Sequence, residues 1–298
     1  MKKSLTLLAL VLVITVQLFG QDDLIKLVDS GKPTKEYVSL AFKSSRVINA
    51  HSMEMIPRGN MDFRILHRFG LVNTGANNLW GLDQANMRFG FDFGILSNLT
   101  AGIGRSNVNK EWDGFIKYRP FRQSKGERSS PISVLVVAGM TYTTMPWTDP
   151  SRENYTSSRI CYFGEVIIGS KLNETITMQI APTMVHRNLV PLATDENDAF
   201  AIGFGGRVKL SRRVSFVVDY DYVISGIDKD IYSNPLSMGV DIETGGHVFQ
   251  LHFSNSQGMN EKAVITNTTD KWGEGEIRFG FNLSRMFVIN KKVKGENW

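Results

Sequence analysis

The residues of this sequence that could do chemistry are mostly charged, and many stand at every second position of a short segment. Asp219 and Asp221 are spaced so that both carboxylates would lie on one face of a strand, where paired carboxylates could perform acid–base work. Arg207 and Lys209 have the same spacing in the preceding segment. Because opposite charges on adjacent strands attract each other, ion pairing between the two sets is the preferred interpretation.

One short string contains the residue types of a nucleophile and its base. His252 and Ser254 would share one face of a strand, and Asn255 follows them. In such a pair the histidine accepts the serine proton while an amide orients the ring. Leu251 and Phe253 occupy the opposite, apolar face, which predicts that His252 and Ser254 point inward. A string this short is a weak signal, so no catalytic residue is assigned and an outer-membrane hydrolase is kept only as a remote alternative.

No pattern in the sequence supports a metal site, a cofactor or a nucleic-acid partner. His67, His186 and His247 are scattered, and the lone Cys161 excludes an internal disulfide. Gly102-Ile-Gly104 lacks the third glycine and the helix of a dinucleotide-binding loop. The formal net charge is only +5 and no run of Lys or Arg is present, so nucleic acid is not expected.

The elements that must position these residues are strands whose two faces differ. One segment shows the pattern: Met87, Phe89, Phe91, Phe93 and Ile95 alternate with Arg88, Gly90, Asp92 and Gly94. Side chains of a strand repeat with a period of two, so this pattern places apolar residues on one face and small or charged residues on the other. Twelve such segments are predicted, at 61–70, 83–95, 99–107, 112–119, 132–143, 158–170, 174–186, 198–210, 214–224, 236–242, 246–254 and 275–287.

The connections between these segments alternate between short and long, except that 108–111 is short for an outside loop and 120–131 is long for a periplasmic turn. Turns of about three residues are predicted near 97, 172, 212 and 244, and longer loops at 71–82, 144–157, 187–197, 225–235 and 255–274. Membrane barrels have this asymmetry, with tight periplasmic turns and longer outside loops. The sequence therefore predicts an all-β fold, an antiparallel transmembrane β-barrel of about 12 strands, whose apolar face contacts outer-membrane lipid.

The opposite face of each strand is predicted to line the lumen. Its charged and polar members are Arg88, Asp92, Lys117, Arg119, Arg207, Lys209, Asp219, Asp221, Asp241, His252 and Arg278. Rings of one charge would form a selective pore lining, whereas mixed charges would pair with each other and fill a narrow barrel. Both signs are present, which favours the paired network.

The two ends of the chain are set apart from the barrel, which is assigned to residues 61–287. Residues 1–20 have a basic start and an apolar run, Leu5 to Val16, that is too short to span a bilayer. They are interpreted as a cleaved Sec-type signal peptide, with an uncleaved anchor as the alternative. Residues 21–60 are predicted to form a plug or a periplasmic segment, or else a loosely ordered leader. Residues 288–298 form a C-terminal tail.

Several strings give the sequence a family resemblance: Ile65-Leu-His-Arg-Phe-Gly70, Phe89-Gly-Phe-Asp-Phe-Gly94, Gly102-Ile-Gly-Arg-Ser106, Val185-His-Arg-Asn-Leu-Val190 and Asp241-Ile-Glu-Thr-Gly-Gly-His-Val-Phe-Gln-Leu-His252. Together they resemble an uncharacterised family of outer-membrane β-barrel proteins of gram-negative bacteria, classed as a domain of unknown function. The resemblance implies a barrel and an outer-membrane location, and it implies no activity. His252-Phe-Ser-Asn255 also resembles a string of the outer-membrane phospholipase A family, in which the pair faces outward; the rest of that motif is missing.

The preferred function is a passive channel or transport-type barrel for small polar solutes in the cell outer membrane. This choice rests on the architecture and its hydrophilic interior, which is an analogy at the level of the fold. The alternative is a barrel sealed by its own side chains and by residues 21–60. Such a barrel would act as a structural or anchoring subunit, with another envelope protein as its partner. Neither hypothesis requires enzymatic activity.

Overall fold

The computed structural model of the protein describes residues 34–191 and 194–290, and twelve of its strands form one closed barrel. The strands are β1 (Glu36–Tyr37), β2 (Asn60–Leu71), β3 (Ala85–Leu96), β4 (Leu99–Ser106), β5 (Glu111–Phe121), β6 (Ser124–Lys125), β7 (Ser133–Thr143), β8 (Ile160–Lys171), β9 (Ile176–Arg187), β10 (Asp198–Lys209), β11 (Val214–Ser225), β12 (Leu236–Thr244), β13 (His247–Ser254) and β14 (Arg278–Val288). Strands β1 and β6 pair with each other and lie outside the barrel. The predicted all-β barrel of about 12 strands is confirmed.

Within residues 34–191 and 194–290, helical structure is confined to the connections. One α-helix there, α1, spans Glu261–Thr266, and short 3-10 helices span Val72–Thr74, Ala76–Gly81, Val108–Lys110, Thr156–Arg159 and Trp272–Glu274. Among the described residues, none of the helices has the length and apolar character needed to cross a membrane. The predicted signal peptide, residues 1–20, lies outside the described residues, as do residues 21–33 of the predicted plug or periplasmic segment and residues 291–298 of the predicted tail.

Every neighbouring pair of barrel strands is antiparallel, and the circle closes where β14 pairs with β2. Alternation along each strand decides which side chains point inward. On β3, Phe89 is 41% exposed and Phe91 is 39% exposed, whereas Arg88 and Asp92 of the same strand are 1% and 2% exposed. The strand period of two therefore separates the faces as the sequence pattern predicts.

The connections sort by length between the two ends of the barrel. At one end, called here the short-turn end, residues 97–98, 172–175, 210–213 and 245–246 join consecutive strands. Residues 122–132 at this end are longer because they contain β6, which pairs with β1 and so fixes the incoming chain there. At the other end, the long-loop end, the longest connections are 72–84, 144–159, 188–197, 226–235 and 255–277.

The inner wall of the barrel has two chemically different sectors. In the apolar sector, strands β7 to β11, the inward side chains include Leu135, Val137, Phe163, Ile167, Ala181, Val185, Ala199, Ala201, Val217 and Val223, all buried. In the polar sector, strands β12 to β14 and β2 to β4, they are mainly charged and amide or hydroxyl side chains, including Asp62, Arg64, Arg68, Arg88, Asp92, Thr100, Ser237, Asp241, Gln250, His252, Ser254, Arg278 and Asn282. The interior is therefore not uniformly hydrophilic, which the sequence-based interpretation did not anticipate.

Candidate functional site: the occupied lumen

The lumen contains a segment of the chain that precedes the first barrel strand. Residues 40–57, called here the plug, enter at the short-turn end, where Arg207 of β10 donates hydrogen bonds to the carbonyl oxygens of Leu40 at 2.9 Å and Ala41 at 2.7 Å. The plug reverses direction at its tip, where the Val47 N–H donates to the Ala50 carbonyl at 2.9 Å. It returns to the same end and leads into β2.

Apolar side chains of the plug pack against the apolar sector. Phe42, Val47, Ile48 and Met53 are 4% exposed or less and belong to one hydrophobic cluster with the inward residues of β7 to β11. Protein interiors are close-packed, so these side chains act as the centre of a continuous core. The plug and the wall thus share one hydrophobic core on this side of the barrel.

On the opposite side, hydrogen bonds join the plug to the polar sector. Asn282 Nδ2 donates to the Ile48 carbonyl at 3.0 Å, and Gln250 Nε2 donates to the Val47 carbonyl at 2.6 Å. Arg68 donates to Asn49 Oδ1 at 2.6 Å. The plug tip has no regular strand or helix partner for these backbone groups, so wall side chains satisfy them. The apolar side of the plug therefore faces the apolar sector, and its hydrogen-bonding side faces the polar sector.

Two buried charges of the wall are satisfied by the backbone of the plug. Lys117 Nζ donates to the carbonyl oxygens of Ser52 and Glu54, both at 2.6 Å. Asp219 Oδ2 accepts hydrogen bonds from the backbone N–H groups of Asn49 at 2.7 Å and Ala50 at 3.0 Å. A buried charge without such partners would be strongly destabilising, so these two contacts tie the wall to the presence of the plug.

Two inward glycines of the wall leave the space that the plug occupies. A Cβ atom at Gly94 would collide with the Pro57 backbone, and one at Gly205 would lie 3.0 Å from the Val47 side chain. Glycine weakens a strand interior, so its use there requires a cause such as the close approach of another backbone. The plug backbone is that cause at Gly94, whereas at Gly205 the Gln179 side chain of the wall would lie closer than the plug, at 2.7 Å.

A second segment folds into the lumen from the long-loop end. Residues 255–268, called here the inner loop, carry α1 and are mostly buried. Asn260 caps α1 by accepting a hydrogen bond from the Ala263 N–H at 2.8 Å. Glu111 of β5 holds the inner loop in place, because Lys262 Nζ donates to it at 2.6 Å and Asn260 Nδ2 donates to it at 3.0 Å.

The plug and the inner loop meet at a buried ion pair in the lumen. The Arg46 guanidinium of the plug pairs with the Glu261 carboxylate of α1, and His51 Nε2 lies 3.1 Å from the same carboxylate. The Phe115 ring covers this seam, with the Arg46 guanidinium 5.3 Å from its centre. Burial lowers the pKa of His51 well below 6.5, and the charges of Arg46 and Lys117 lower it further. Both effects favour the neutral form of His51 beside the ion pair.

A small cavity of about 10 Å³ adjoins the seam. Its lining includes Asn49 of the plug, Glu261 of α1, and Glu165, Thr183 and Asp221 of the wall. This is about the space that one water molecule needs. Oε2 of Glu165, on this lining, has no hydrogen-bond partner among the described residues.

The structure buries nine of the eleven charged or polar residues proposed from the sequence as lumen-lining and leaves Arg119 of β5 and Lys209 of β10 partly exposed. The nine buried residues are Arg88, Asp92, Lys117, Arg207, Asp219, Asp221, Asp241, His252 and Arg278. Arg88 pairs with Asp113, and Arg278 lies 2.8 Å from Asp270. Asp241 Oδ1 accepts a hydrogen bond from Gln250 at 3.0 Å.

The ion pairing predicted between the Arg207 and Asp219 strands is wrong. Arg207 donates to Ser215 Oγ at 2.9 Å and to plug carbonyls, and Asp219 accepts from plug N–H groups. Strand spacing alone could not predict this, because the partners come from a segment that lies far away in the sequence. In both cases the backbone of the plug replaces the expected opposite charge.

His252 and Ser254 share the inward face of β13, yet neither contacts the other as a base and a nucleophile. Ser254 Oγ accepts hydrogen bonds from Ser237 Oγ at 2.8 Å and from the Ser256 N–H at 3.0 Å. Neither ring nitrogen of His252 has a hydrogen-bond partner among the described residues. Asn255 Oδ1 accepts from the Leu236 N–H at 2.8 Å and so holds the loop backbone. This geometry gives the hydrolase hypothesis no support.

Sequence reasoning missed the apolar half of the site. Leu135 and Val137 lie in a run of apolar residues, Val134 to Val137, so both faces of this strand are apolar and there is no alternation with polar residues. A strand that is buried on both faces has such a continuous apolar run, so this pattern could have predicted a hydrophobic core inside the barrel. Within the described residues, no group of three or more His, Cys, Asp or Glu side chains is arranged to hold a metal ion.

Comparison with known proteins finds barrels of similar architecture at low sequence identity. The NanC porin aligns with a TM-score of 0.49 and 8% identity, covering 76% of this chain and 98% of that chain. The KdgM porin aligns with a TM-score of 0.46 and 7% identity, covering 76% and 99%. Outer membrane phospholipase A from Escherichia coli gives a TM-score of 0.41 and 12% identity, covering 81% and 98%. No curated protein sequence matches the chain.

A family model matches most of the sequence. It is described as "Membrane bound beta barrel domain (DUF5777)", and it matches residues 42–287. The matched range begins inside the plug and ends in β14, so the plug and the closed barrel are both within it. The chain belongs to this family of membrane-bound β-barrel domains of unknown function.

Proposed function

We propose that this protein is an outer-membrane barrel closed by its own residues, which serves as a membrane-embedded anchor or subunit of an envelope complex. The observation that carries the proposal is the hydrophobic core shared by the plug and the apolar sector. A solute pathway needs a hydrated lumen, whereas here apolar side chains of the wall and the plug pack against each other. The outer-membrane location is part of the proposal, and the family description together with the outward apolar faces supports it.

The energetic cost of withdrawing the plug supports a permanently closed barrel. Phe42, Val47, Ile48 and Met53 would each lose burial worth roughly 1.5–3 kcal/mol, which sums to roughly 6–12 kcal/mol. The stability of a whole domain is typically about 5–15 kcal/mol. Withdrawal would also leave Lys117 and Asp219 without their backbone partners. Thermal motion at equilibrium would therefore rarely expel the plug.

A second candidate function, gated passage of small polar solutes, is favoured by the seam. The inner loop and the plug are held by different parts of the wall and meet through Arg46 and Glu261. Moving the inner loop alone would remove only Ile265 from the hydrophobic cluster. A binding partner at the long-loop end could therefore open one half of the lumen at a smaller cost than withdrawal of the plug.

Single-channel recording in planar bilayers tests both candidates. For the closed barrel, the purified full chain and the Glu261→Ala variant should give no conductance steps. Steps from Glu261→Ala alone would support the gated barrel, and steps from the unmodified protein would support the passive channel; either result would overturn the closed barrel. The anchoring role is tested by purification in mild detergent, where a barrel that never retains another envelope protein would contradict it.

A further inference from the structure

The two ends of the barrel differ in the charge that they expose to solvent. Among the described residues, seven exposed Lys and Arg side chains stand at the short-turn end against three exposed acids, Glu36, Glu127 and Glu174. At the long-loop end the balance is reversed, with six exposed acids against four exposed bases. A surface with an excess of one sign attracts molecules of the opposite sign. The short-turn end is therefore suited to an anionic partner.

A small sheet at the short-turn end does not belong to the barrel wall. Residues 35–38 and 122–130, which contain β1 and β6, are called here the platform. Its backbone is in close contact with the incoming chain, since a Cβ atom at Gly126 would lie 2.4 Å from the carbonyl oxygen of Thr34. The backbone that carries the exposed charges of the platform is therefore held in place.

The platform lies across the opening of the barrel rather than on its lipid-facing side. Gln123, just before β6, accepts a hydrogen bond from the Lys171 N–H at 2.8 Å and donates to the Lys171 carbonyl at 3.0 Å. Lys171 ends β8 on its inward face, opposite the buried Thr177. The Val38 N–H donates to the Gln123 carbonyl at 2.9 Å, and the chain then enters the lumen as the plug. The platform therefore faces the aqueous compartment at this end.

The exposed side of the platform combines cations with one aromatic ring. Lys35, Lys125 and Arg128 are exposed, and Tyr37 is 54% exposed. The Lys35 ammonium lies 5.2 Å from the centre of the Tyr37 ring, and the Arg122 guanidinium lies 5.1 Å from it. Tyr and Arg are enriched in protein interfaces, and guanidinium groups bind carboxylates with two hydrogen bonds. This composition fits a protein surface that carries carboxylates.

The free edge of β1 distinguishes a polypeptide partner from an anionic lipid. Among the described residues, β1 pairs with β6 and with no other strand. The Val38 N–H points to β6, and the direction of backbone groups alternates along a strand, so the N–H and C=O of Tyr37 point away from β6. A segment of another protein can pair with such an edge as an added strand, which a lipid headgroup cannot do.

We infer that the platform is the docking site for an acidic protein of the envelope, which adds a strand to β1 and places carboxylates on Lys35, Lys125 and Arg128. The inference rests on the proposed anchoring function and names the end of the barrel and the chemistry of the partner. Membrane barrels have their short turns on the periplasmic side, so this partner is periplasmic. Charge selects it over a second copy of the chain, because two basic ends repel each other.

Peptide binding tests the platform before the natural partner is known. The probe is a fluorescent peptide of about eight residues, alternating glutamate and valine, titrated onto the full chain in neutral detergent and followed by anisotropy. It should bind about tenfold more tightly than the same peptide with glutamine in place of glutamate, and added salt should weaken binding because exposed charges are screened. Methylation of every backbone N–H of the peptide should also weaken binding, since the peptide can then no longer pair as a strand.

Neutralising charges of the platform locates the binding site. Lys125→Gln with Arg128→Gln should weaken binding of the glutamate peptide by about fivefold per residue. Lys110→Gln with Lys229→Gln is the matched control, since both lysines are exposed at the long-loop end and Lys110 has a positive φ, as Arg128 has. Equal binding by the two double variants would overturn the inference, and so would equal binding of the glutamate and glutamine peptides.

Purification in mild detergent separates this inference from the proposed function. If the unmodified protein retains no envelope protein, the anchoring function fails, and the peptide titrations still decide whether the platform binds an acidic strand. If it retains one, the platform variant should lose that protein and the control variant should keep it. Retention by both variants would overturn the inference and leave the anchoring function standing. If the platform variant instead loses bound phosphatidylglycerol and keeps the peptide, the platform faces the membrane and the inference is wrong.

Discussion

The two sectors of the inner wall hold the same plug by different physical means. The apolar sector contacts it mainly through side-chain volume, with Phe42 and Ile48 inserted into a close-packed cluster. On the same strands, only a few polar side chains, among them Arg207 and Asp219, bond to the plug backbone. The polar sector contacts it through directed hydrogen bonds, such as those from Asn282 and Gln250 to the plug carbonyls. Burial is non-directional and scales with area, whereas a hydrogen bond specifies one position of its partner.

The two sectors therefore determine different properties of the plug: the stability of its bound state and its position along the barrel axis. The apolar sector supplies most of the free energy that keeps the plug inside, since burying one large side chain is worth about 1.5–3 kcal/mol and one hydrogen bond about 0.5–1.5 kcal/mol net. The polar sector determines the position of each plug residue along the barrel axis, because a shift of one residue would break several hydrogen bonds together. Substitutions in the two sectors should therefore differ in size and in kind.

The largest effect is expected from truncation of a plug side chain in the hydrophobic cluster. Phe42→Ala should lower the free energy of unfolding by about 4 kcal/mol, because it removes a large buried ring and leaves a cavity. Urea titration of the folded barrel, followed by tryptophan fluorescence, measures this loss. Leu40→Ala is the control, since Leu40 is 62% exposed and should change stability by less than about 0.5 kcal/mol. An equal loss of stability in both variants would contradict the claim that burial in the hydrophobic cluster is what stabilises the plug.

A loss of about 3 kcal/mol is expected at the seam, where neither sector dominates. Arg46→Ala leaves the Glu261 carboxylate buried without its cation, and that uncompensated charge is the cause. The double variant Arg46→Met with Glu261→Met should recover most of the loss, because two apolar side chains can replace a buried ion pair. The same urea titration measures both. A double variant less stable than Arg46→Ala would show that the charges hold the seam together.

A smaller loss is expected in the polar sector. Asn282→Ala should cost about 2 kcal/mol, since it leaves the Ile48 carbonyl and Gln250 Oε1 without a donor in a buried position. Asn154→Ala is the control, because its amide donates to two carbonyls of an exposed loop. A loss larger than that of Phe42→Ala would reverse the assignment of the main stabilising role to the apolar sector.

The smallest effect is a pH dependence from His51. Its pKa in the folded state lies below the value of 6.5 expected for the unfolded chain, so on acidification the unfolded state binds the proton first. The stability contributed by neutral His51 is complete above pH 6.5 and is lost as the pH falls toward the lowered pKa, at up to about 1.4 kcal/mol per pH unit. Comparing urea midpoints of the unmodified protein and His51→Gln across this range isolates the effect. Parallel pH profiles would show that His51 contributes nothing.

The barrel was predictable from the sequence because the strand period is a local property. The alternation from Met87 to Ile95 and the contrast between short and long connections both lie within a few residues of each other, and the structure reproduces them. The inward direction of Arg88 and Asp92 follows from the same period. Nothing beyond neighbouring residues was needed for these features.

The partners of the inward residues could not be predicted, because they are set by long-range packing. Lys117 is satisfied by carbonyl oxygens more than sixty positions away, and a carbonyl has no side-chain signature in the sequence. The glycines were a partial signal, since Gly94 and Gly205 indicate that something approaches the wall closely. They do not identify residues 40–57 as the segment that does so.

The closure of the barrel between β14 and β2 has a consequence for how the molecule assembles. These are the first and last strands of the wall, so their pairing joins the most distant parts of the barrel and is entropically the most costly contact to form. The plug immediately precedes β2, and the β1–β6 pair holds the chain just before the plug at the short-turn end. We therefore expect the strands to assemble around residues 40–57 before β14 pairs with β2. The plug would then act as an internal template for the curvature of the sheet.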